Sequence, residues 1–319
     1  MRISRRNFLT GVGAAVAASL PASGSDMQGP VLLSPFRVSI INDEISQDFG
    51  RSCEVASREF GMQWIELRGM WNKNIVNLDA KEVAEAQRIL QKYNLRVTDI
   101  ASPLFKTSWK DDPRAKERQS EDFHASFTFA QQDEVLERSL ELAKAFETDR
   151  VRCFDFWRLD DPAPHRAAIN ETLLNAANKA GQKGIILLLE NDGGLNTSTG
   201  AEAARVLSAV QSPHLMLNWD PGNAAAQGEK AYPDGYNLLP KERIGHCHCK
   251  DVLKGGKDDW APMGKGIVDW LGQFQALKRD GYRYAVSLET HWDGGGTPEK
   301  SSRQSWAGMK ALLQNADAL

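Results

Sequence analysis

Short apolar runs alternate along the chain with longer stretches in which apolar residues recur every three or four positions. Eight short runs read as strands. They are Arg37–Asn42, Trp64–Arg68, Arg96–Ser102, Arg150–Trp157, Ile185–Glu190, Leu215–Asp220, Arg243–Lys250 and Tyr284–Glu289. Between or after them lie amphipathic helical stretches at Ala80–Lys92, Asp133–Phe146, Pro164–Ala180, Ala201–Val210, Trp270–Arg279 and Ser302–Leu313. The segment between the sixth and seventh runs is the least helical, broken by Pro233, Gly235 and Pro240. Eight strand-then-helix units predict an α/β fold, a single (β/α)8 TIM barrel with its helices outside. A doubly wound open sheet is the alternative, and the count of eight disfavours it.

Barrel strands alternate between an inward and an outward face. One phase sends Leu217, Trp219, Cys247, Cys249, Val286 and Leu288 outward toward the helices. The same phase turns Leu188, Met216, Asn218, His246 and Ser287 inward. It also places Glu190, Asp220, His248 and Glu289 inward at or near the C-terminal ends of four successive strands. That end is where barrel enzymes build their active sites.

The first 25 residues follow another pattern. Arg5-Arg6 precede Phe8-Leu9, a small-residue apolar stretch runs from Gly11 to Leu20, and Ala22-Ser23-Gly24 suits cleavage. This reads as a twin-arginine export signal over residues 1–25, ahead of a barrel over residues 26–319. It implies the twin-arginine export machinery as a partner and a periplasmic or extracellular location. It also implies no membrane anchor after cleavage, since no run of about 18 apolar residues is present.

Length and charge narrow the picture further. At 319 residues the chain accommodates one barrel of roughly 250 residues with insertions. A formal net charge of −3, made three units more negative by loss of Arg2, Arg5 and Arg6, argues against a nucleic-acid partner. Four cysteines are too few for a disulfide scaffold.

Three carboxylates gathered in a barrel would repel one another and be driven to protonate. One divalent metal ion removes that penalty, and His248 supplies a fourth ligand beside Glu190, Asp220 and Glu289. Oxygen donors with one imidazole favour Mn2+ first, then Mg2+ or Co2+, with Zn2+ also compatible.

Four motifs carry a resemblance: Leu189-Glu190-Asn191, Asp220-Pro221-Gly222-Asn223, His248-Cys249-Lys250-Asp251 and Leu288-Glu289. Gly264-Lys265-Gly266 followed by Asp269 adds a fifth. Together they resemble the xylose isomerase-like barrel superfamily, and more narrowly its sugar phosphate isomerase/epimerase group. The resemblance implies one divalent metal held by Glu190, Asp220, His248 and Glu289. It also implies that Glu190 and Glu289 exchange the substrate proton. Many relatives carry His where this chain has Asn223, so an acid/base role there is lost. Endonuclease IV, in the same superfamily, needs more histidines than the six present here.

Further substrate contacts are expected from Glu66 and Arg68 on the second strand, Arg158 after the fourth, and Asn223, His246, Lys250, His291 and Trp292. Each has a plainer reading. Glu66 and Arg68 would form an ion pair, His246 would be a packed core histidine, and Lys250 would pair with Asp251. Trp71, Trp109, Trp157, Trp260 and Trp292 fall near strand ends, where rings stack on sugar CH faces. The expected function is a metal-dependent keto-sugar isomerase or epimerase acting through an enediolate on a small carbohydrate. The alternatives are a β-eliminating lyase or dehydratase on 3-keto-glycosides or inosose-like compounds, and a non-catalytic exported sugar-binding barrel.

Overall fold

The computed structural model describes residues 32–110, 112, 126–255 and 259–319. The proposed leader lies outside the described residues. Eight strands form the barrel: β1 (Arg37–Ile40), β2 (Trp64–Leu67), β3 (Arg96–Leu104), β4 (Arg150–Cys153), β5 (Ile186–Glu190), β6 (Leu215–Trp219), β7 (Ile244–Cys249) and β8 (Ala285–Leu288). All neighbours pair in parallel, in the order β1-β8-β7-β6-β5-β4-β3-β2. A bridge between Ile41 and Glu66 brings β1 back to β2 and nearly closes the barrel. Each strand therefore neighbours its successor in the chain, which rules out the doubly wound sheet.

Every expected run overlaps one barrel strand, with shifted ends, and the third strand runs on past Ser102 to Leu104. The fourth stops at Cys153; Phe154, Phe156 and Trp157 still donate to Leu104, Phe105 and Thr107, but Phe156 adopts a left-handed backbone at φ 70° that breaks the regular strand. The helices are α1 (Phe49–Glu54), α2 (Ala80–Lys92), α3 (Gln132–Ala145), α4 (Arg166–Gln182), α5 (Gly200–Ala209), α6 (Pro221–Ala226), α7 (Trp270–Arg279) and α8 (Pro298–Asn315). Six residues are too few to show a helical period, which is why α1 and α6 are not evident in the sequence pattern. The longer helices carry their own start signals. Asp79 and Glu82 form a capping box on α2, and the Asp269 carboxylate accepts the Gly272 N–H at the start of α7.

The main apolar core lies between barrel and helices. Leu187, Leu189, Leu215, Leu217, Trp219, Val286 and Leu288 face outward into it with no exposure. Each such aliphatic side chain contributes about 1.5–3 kcal/mol of transfer free energy. The Trp219 indole N–H donates to Gln273 Oε1 of α7 at 3.0 Å, so this burial leaves no orphan donor. All four cysteines are buried free thiols, and burial pushes Cys53, Cys153 and Cys249 up. No helix among the described residues is long and apolar enough to cross a membrane.

The barrel interior is unusually polar: Ser39, Glu66, Asp99, Asn218, His246, His248 and Ser287 all sit inside it, fully buried. A register slip helps align them. Leu217 pairs with Ile244 but Asn218 pairs with His246, leaving Gly245 as the extra residue. A Cβ on Gly245 would lie 2.8 Å from Leu188 Cδ2 and 3.0 Å from Met216 Cβ, so only glycine passes here. Beyond the slip, His246 stands beside Asn218 and its Nδ1 lies 3.0 Å from Asn218 Oδ1.

Candidate active site

Local sequence explains how each carboxylate is presented. Glu190 ends β5, and Asn191 next to it cross-ties the strands: its Oδ1 accepts the Asp220 N–H at 2.8 Å and its Nδ2 donates to the Asp220 carbonyl. Asp220 follows β6 and caps α6 by accepting the Asn223 N–H at 2.8 Å, with Pro221 in the first turn. Gly222 lets the next strand pass, since a Cβ there would lie 2.7 Å from the Lys250 carbonyl oxygen.

These elements bring Glu190, Asp220, His248 and Glu289 together, with one potential ligand atom from each lying within 4.8 Å of the others. His248 Nδ1 is the focus. It lies 3.2 Å from Glu190 Oε1, 3.2 Å from Glu289 Oε2 and 3.9 Å from Asp220 Oδ2. The opposite ring nitrogen, Nε2, lies 2.9 Å from Glu66 Oε1 and 3.1 Å from Asn218 Nδ2. The Nε2–H donates to the Glu66 carboxylate, because a charge-assisted bond outweighs a neutral one. Glu66 thus fixes the ring so that Nδ1 faces the three carboxylates. Beneath it, His246 Nε2 lies 3.1 Å from Asp99 Oδ1 and 3.6 Å from Glu66 Oε2.

Three permanent cations surround the cluster. Arg68 grips both Asp43 oxygens at 3.0 and 3.1 Å, Glu44 Oε1 at 2.7 Å and Glu289 Oε1 at 3.0 Å. Arg152 donates to Glu190 Oε2 at 3.2 Å. Lys250 Nζ lies 2.7 Å from Glu289 Oε2 and 2.9 Å from Asp220 Oδ2. The charges follow from this layout. Burial pushes Glu190 up, but His248 and Arg152 outweigh it and hold the carboxyl at about 2. Burial opposes ionisation of Glu289 as well, and Lys250 and His291 lead in holding it well below the usual range. For Asp220 burial wins, with Glu289 and Glu190 adding to it against Lys250, and the carboxyl rises to about 6.

The donor set fits a divalent ion. Asp43, Glu44, Glu66, Asp99, Glu190, Asp220 and Glu289 face Arg68, Arg152, Lys250 and three histidines, His246, His248 and His291. Even with all three imidazoles charged, this group retains a surplus of one negative charge. Asp220 Oδ2 is buried, with the Lys250 ammonium at 2.9 Å but no well-aligned hydrogen bond.

Above the cluster opens a cleft of about 400 Å³. Arg68, Glu190, Asn223, Lys250, Glu289 and His291 line it, as expected of residues that meet a ligand. Asn223 Nδ2 is held by the Asn191 carbonyl at 2.9 Å and lies 3.4 Å from Glu190 Oε1. Other expectations are corrected. Glu66 and His246 have no exposure and do not reach the cleft, so they support His248 instead of touching substrate. Glu66 and Arg68 do not pair with each other; their partners are the histidines and the carboxylates already named. Arg158 is drawn away by Ser198, Glu202 and the Leu195 carbonyl. Trp292 is not part of the cleft lining; a Cβ on Gly294 would lie 2.6 Å from its ring. Lys250 does not pair with Asp251, whose carboxylate accepts N–H groups from Val252, Gly264, Gly266 and Val268. That staple accounts for the Gly-Lys-Gly motif, since a Cβ on Gly266 would lie 2.2 Å from Asp251 Oδ1.

Of the five tryptophans singled out, only Trp260 lines the cleft. It packs edge-on against His291 with centroids 5.5 Å apart. Trp109 packs instead on Phe129 and Phe156, and Trp71 on Phe49. Lining residues that were not anticipated include Glu44, Lys106, Arg152 and Phe154. Arg152 shares the inward phase of β4 opposite the outward Val151, so the alternation rule contained that signal.

A family model described as xylose isomerase-like TIM barrel matches residues 55–312. The chain belongs to the xylose isomerase-like TIM barrel family. Among solved structures, this member is similar to the probable 3-DHS dehydratase AsbF of Bacillus anthracis, with a TM-score of 0.67 and 21% identity over 87% of this chain and 99% of that one. It is similar to D-allulose 3-epimerase from Methylomonas sp., with a TM-score of 0.62 and 20% identity over 89% and 99%. It is also similar to the IolI protein with a bound zinc atom, with a TM-score of 0.68 and 13% identity over 89% and 99%. At these identities the likeness shows the shared barrel. A comparison with curated proteins finds no match.

Proposed function

We propose that this family member is a divalent-metal-dependent carbohydrate isomerase or epimerase that moves a proton next to a carbonyl. The observation that carries the reading is the placement of Glu190 and Glu289, each 3.2 Å from His248 Nδ1, at the base of the cleft. Glu190, Asp220, His248 Nδ1 and Glu289 would hold the metal, with Mn2+ the first choice. A bound divalent ion supplies Lewis acidity, polarising a substrate carbonyl and stabilising the enediolate charge. Glu190 and Glu289 are kept ionised by Arg152, Lys250, Arg68 and His291, so each is ready to accept a proton at neutral pH. Lys250 and Arg152 add fixed positive charge where the substrate oxygens gain negative charge. Phe154 and Trp260 offer flat apolar surfaces to sugar CH groups. The D-allulose 3-epimerase and IolI neighbours support a sugar-type substrate and a metal.

A screen of keto-sugars with Mn2+ tests the reading. Glu289→Gln is expected to abolish turnover while circular dichroism and metal-free stability stay near wild type. Full activity in that variant overturns the proposal, and a chain that binds sugars without turnover or metal is a binding barrel. A second reading, β-elimination, is favoured by Lys250: its buried ammonium beside Glu289 would stabilise negative charge on a leaving oxygen, which the neutral Asn223 amide does less well. Release of aglycone from a 3-keto-glycoside without epimerisation decides for it. The leader supports export by the twin-arginine route to the periplasm or beyond. Retention of a reporter fusion when Arg5 and Arg6 become Lys is the expected check.

A further inference from the structure

The opposite end of the barrel carries an arrangement that neither the quartet nor the cleft uses. Arg37, Trp64, Arg96 and Arg150 are the first residues of β1, β2, β3 and β4. Arg37, Trp64 and Arg150 share the phase of Ser39, Glu66 and Arg152, and Arg96 pairs with Trp64 in register ahead of the irregularity in β3. This end of the barrel therefore gathers three guanidinium groups on two rings, Arg37 and Arg96 on Trp64 and Arg150 on Tyr284. Arg37 Cζ lies 4.7 Å and Arg96 Cζ 4.0 Å from the Trp64 ring centroid. Arg150 Cζ lies 4.4 Å from the Tyr284 ring.

A floor built only for stability would be apolar, because like charges at this range repel. Burial pulls the Arg37 guanidinium below its ordinary value, and the fields of Arg150 and Arg96 pull it further. The carboxylate that acts most on Arg37 is Asp149, and it is itself paired with Arg150. Neither Arg37 nor Arg96 makes an ion pair among the described residues. The Arg150 side chain is 5% exposed, and its Nε is buried without a hydrogen-bond partner. Stacking on rings holds the guanidinium planes and leaves their N–H edges free for an oxyanion.

We propose that Arg37, Arg96 and Arg150 form an anion site at the barrel floor that takes a tetrahedral oxyanion of the phosphate or sulfate class. The anion offsets the surplus positive charge and receives charge-assisted hydrogen bonds from planar donors. The site is separate from the catalytic end and independent of the reaction assigned there.

Thermal unfolding of the metal-loaded chain tests this, with inorganic phosphate or sulfate varied and ionic strength held constant with chloride. Wild type is expected to gain roughly 2–4 °C at ten times the Kd. Arg37→Gln and Arg96→Gln, which change exposed or half-buried side chains, are expected to lose that gain. In low-salt chloride both should unfold no lower than wild type, because each relieves repulsion. The proposal is overturned if phosphate does no more than chloride at equal ionic strength. It is equally overturned if both variants keep the full gain, which places the anion at the catalytic end. Variants that unfold several degrees lower in chloride would show that the arginines serve packing instead.

Discussion

The His248 ring is aimed by one buried carboxylate, and Glu66→Gln isolates that effect. Glu66 Oε1 lies 2.9 Å from Nε2 and the residue has no exposure. The amide keeps an acceptor oxygen of the same size, so the contact survives and only the charge is lost. Two unit charges at about 4 Å interact by about 4 kcal/mol at an effective dielectric of about 20. Much of that is offset, because the neutral amide is also easier to bury than the carboxylate. Loss of such a partner behind a metal-bound histidine typically weakens binding by 10–100-fold, or about 1.4–2.7 kcal/mol. Calorimetric titration of Mn2+ into wild type and variant at pH 7 reads the ratio directly. The variant's metal-free unfolding temperature serves as the fold check. A dissociation constant within twofold of wild type, with the fold intact, refutes the role assigned to Glu66.

Other expectations follow from close packing and burial. Gly222→Ala places a methyl 2.6 Å from Lys250 Cγ and 2.7 Å from its carbonyl oxygen, so β7 must shift. A loss of about 1–3 kcal/mol in chemical denaturation is expected, with weaker Mn2+ binding alongside. Asp155 is buried away from the cleft and burial raises it to about 6, despite the Thr197 hydrogen bonds. Its folded pKa therefore exceeds its unfolded value near 3.8, so the folded state holds its proton more tightly. That group's contribution is full below about pH 4 and is lost as pH rises through 6. Asp155→Asn should remove up to roughly 3 kcal/mol of this pH dependence, read from denaturation curves between pH 4 and 7. Trp260→Ala should raise KM for a keto-sugar more than it lowers kcat, since Trp260 lines the cleft without reaching the quartet.

The strands were legible because each is a short apolar run whose outward residues meet helices, and the alternation then fixed which carboxylates turn inward. Glu190, Asp220, His248 and Glu289 converge for that reason. The same rule named His246 correctly as an inward residue but not its depth, and Glu66 was expected as a substrate contact. Both lie below the cluster, and the shear of a barrel sets height in a way one strand's pattern does not reveal. Arg152 and Asp99 were available to the same reading and were overlooked. Arg158, Trp292 and Lys106 sit beyond strand ends, where the path of a loop depends on distant partners such as Glu202 or Asp192. The slip at Gly245 had no signature except the glycine itself.

The central claim is that Glu190 and Glu289 exchange a carbon-bound proton beside a carbonyl held over the quartet. Incubating the Mn2+-loaded chain with ketoses in D2O tests it whatever the product is. The account predicts deuterium at the carbon next to the carbonyl with wild type, and none with Glu190→Gln or Glu289→Gln. Undiminished deuterium incorporation in both variants would contradict it.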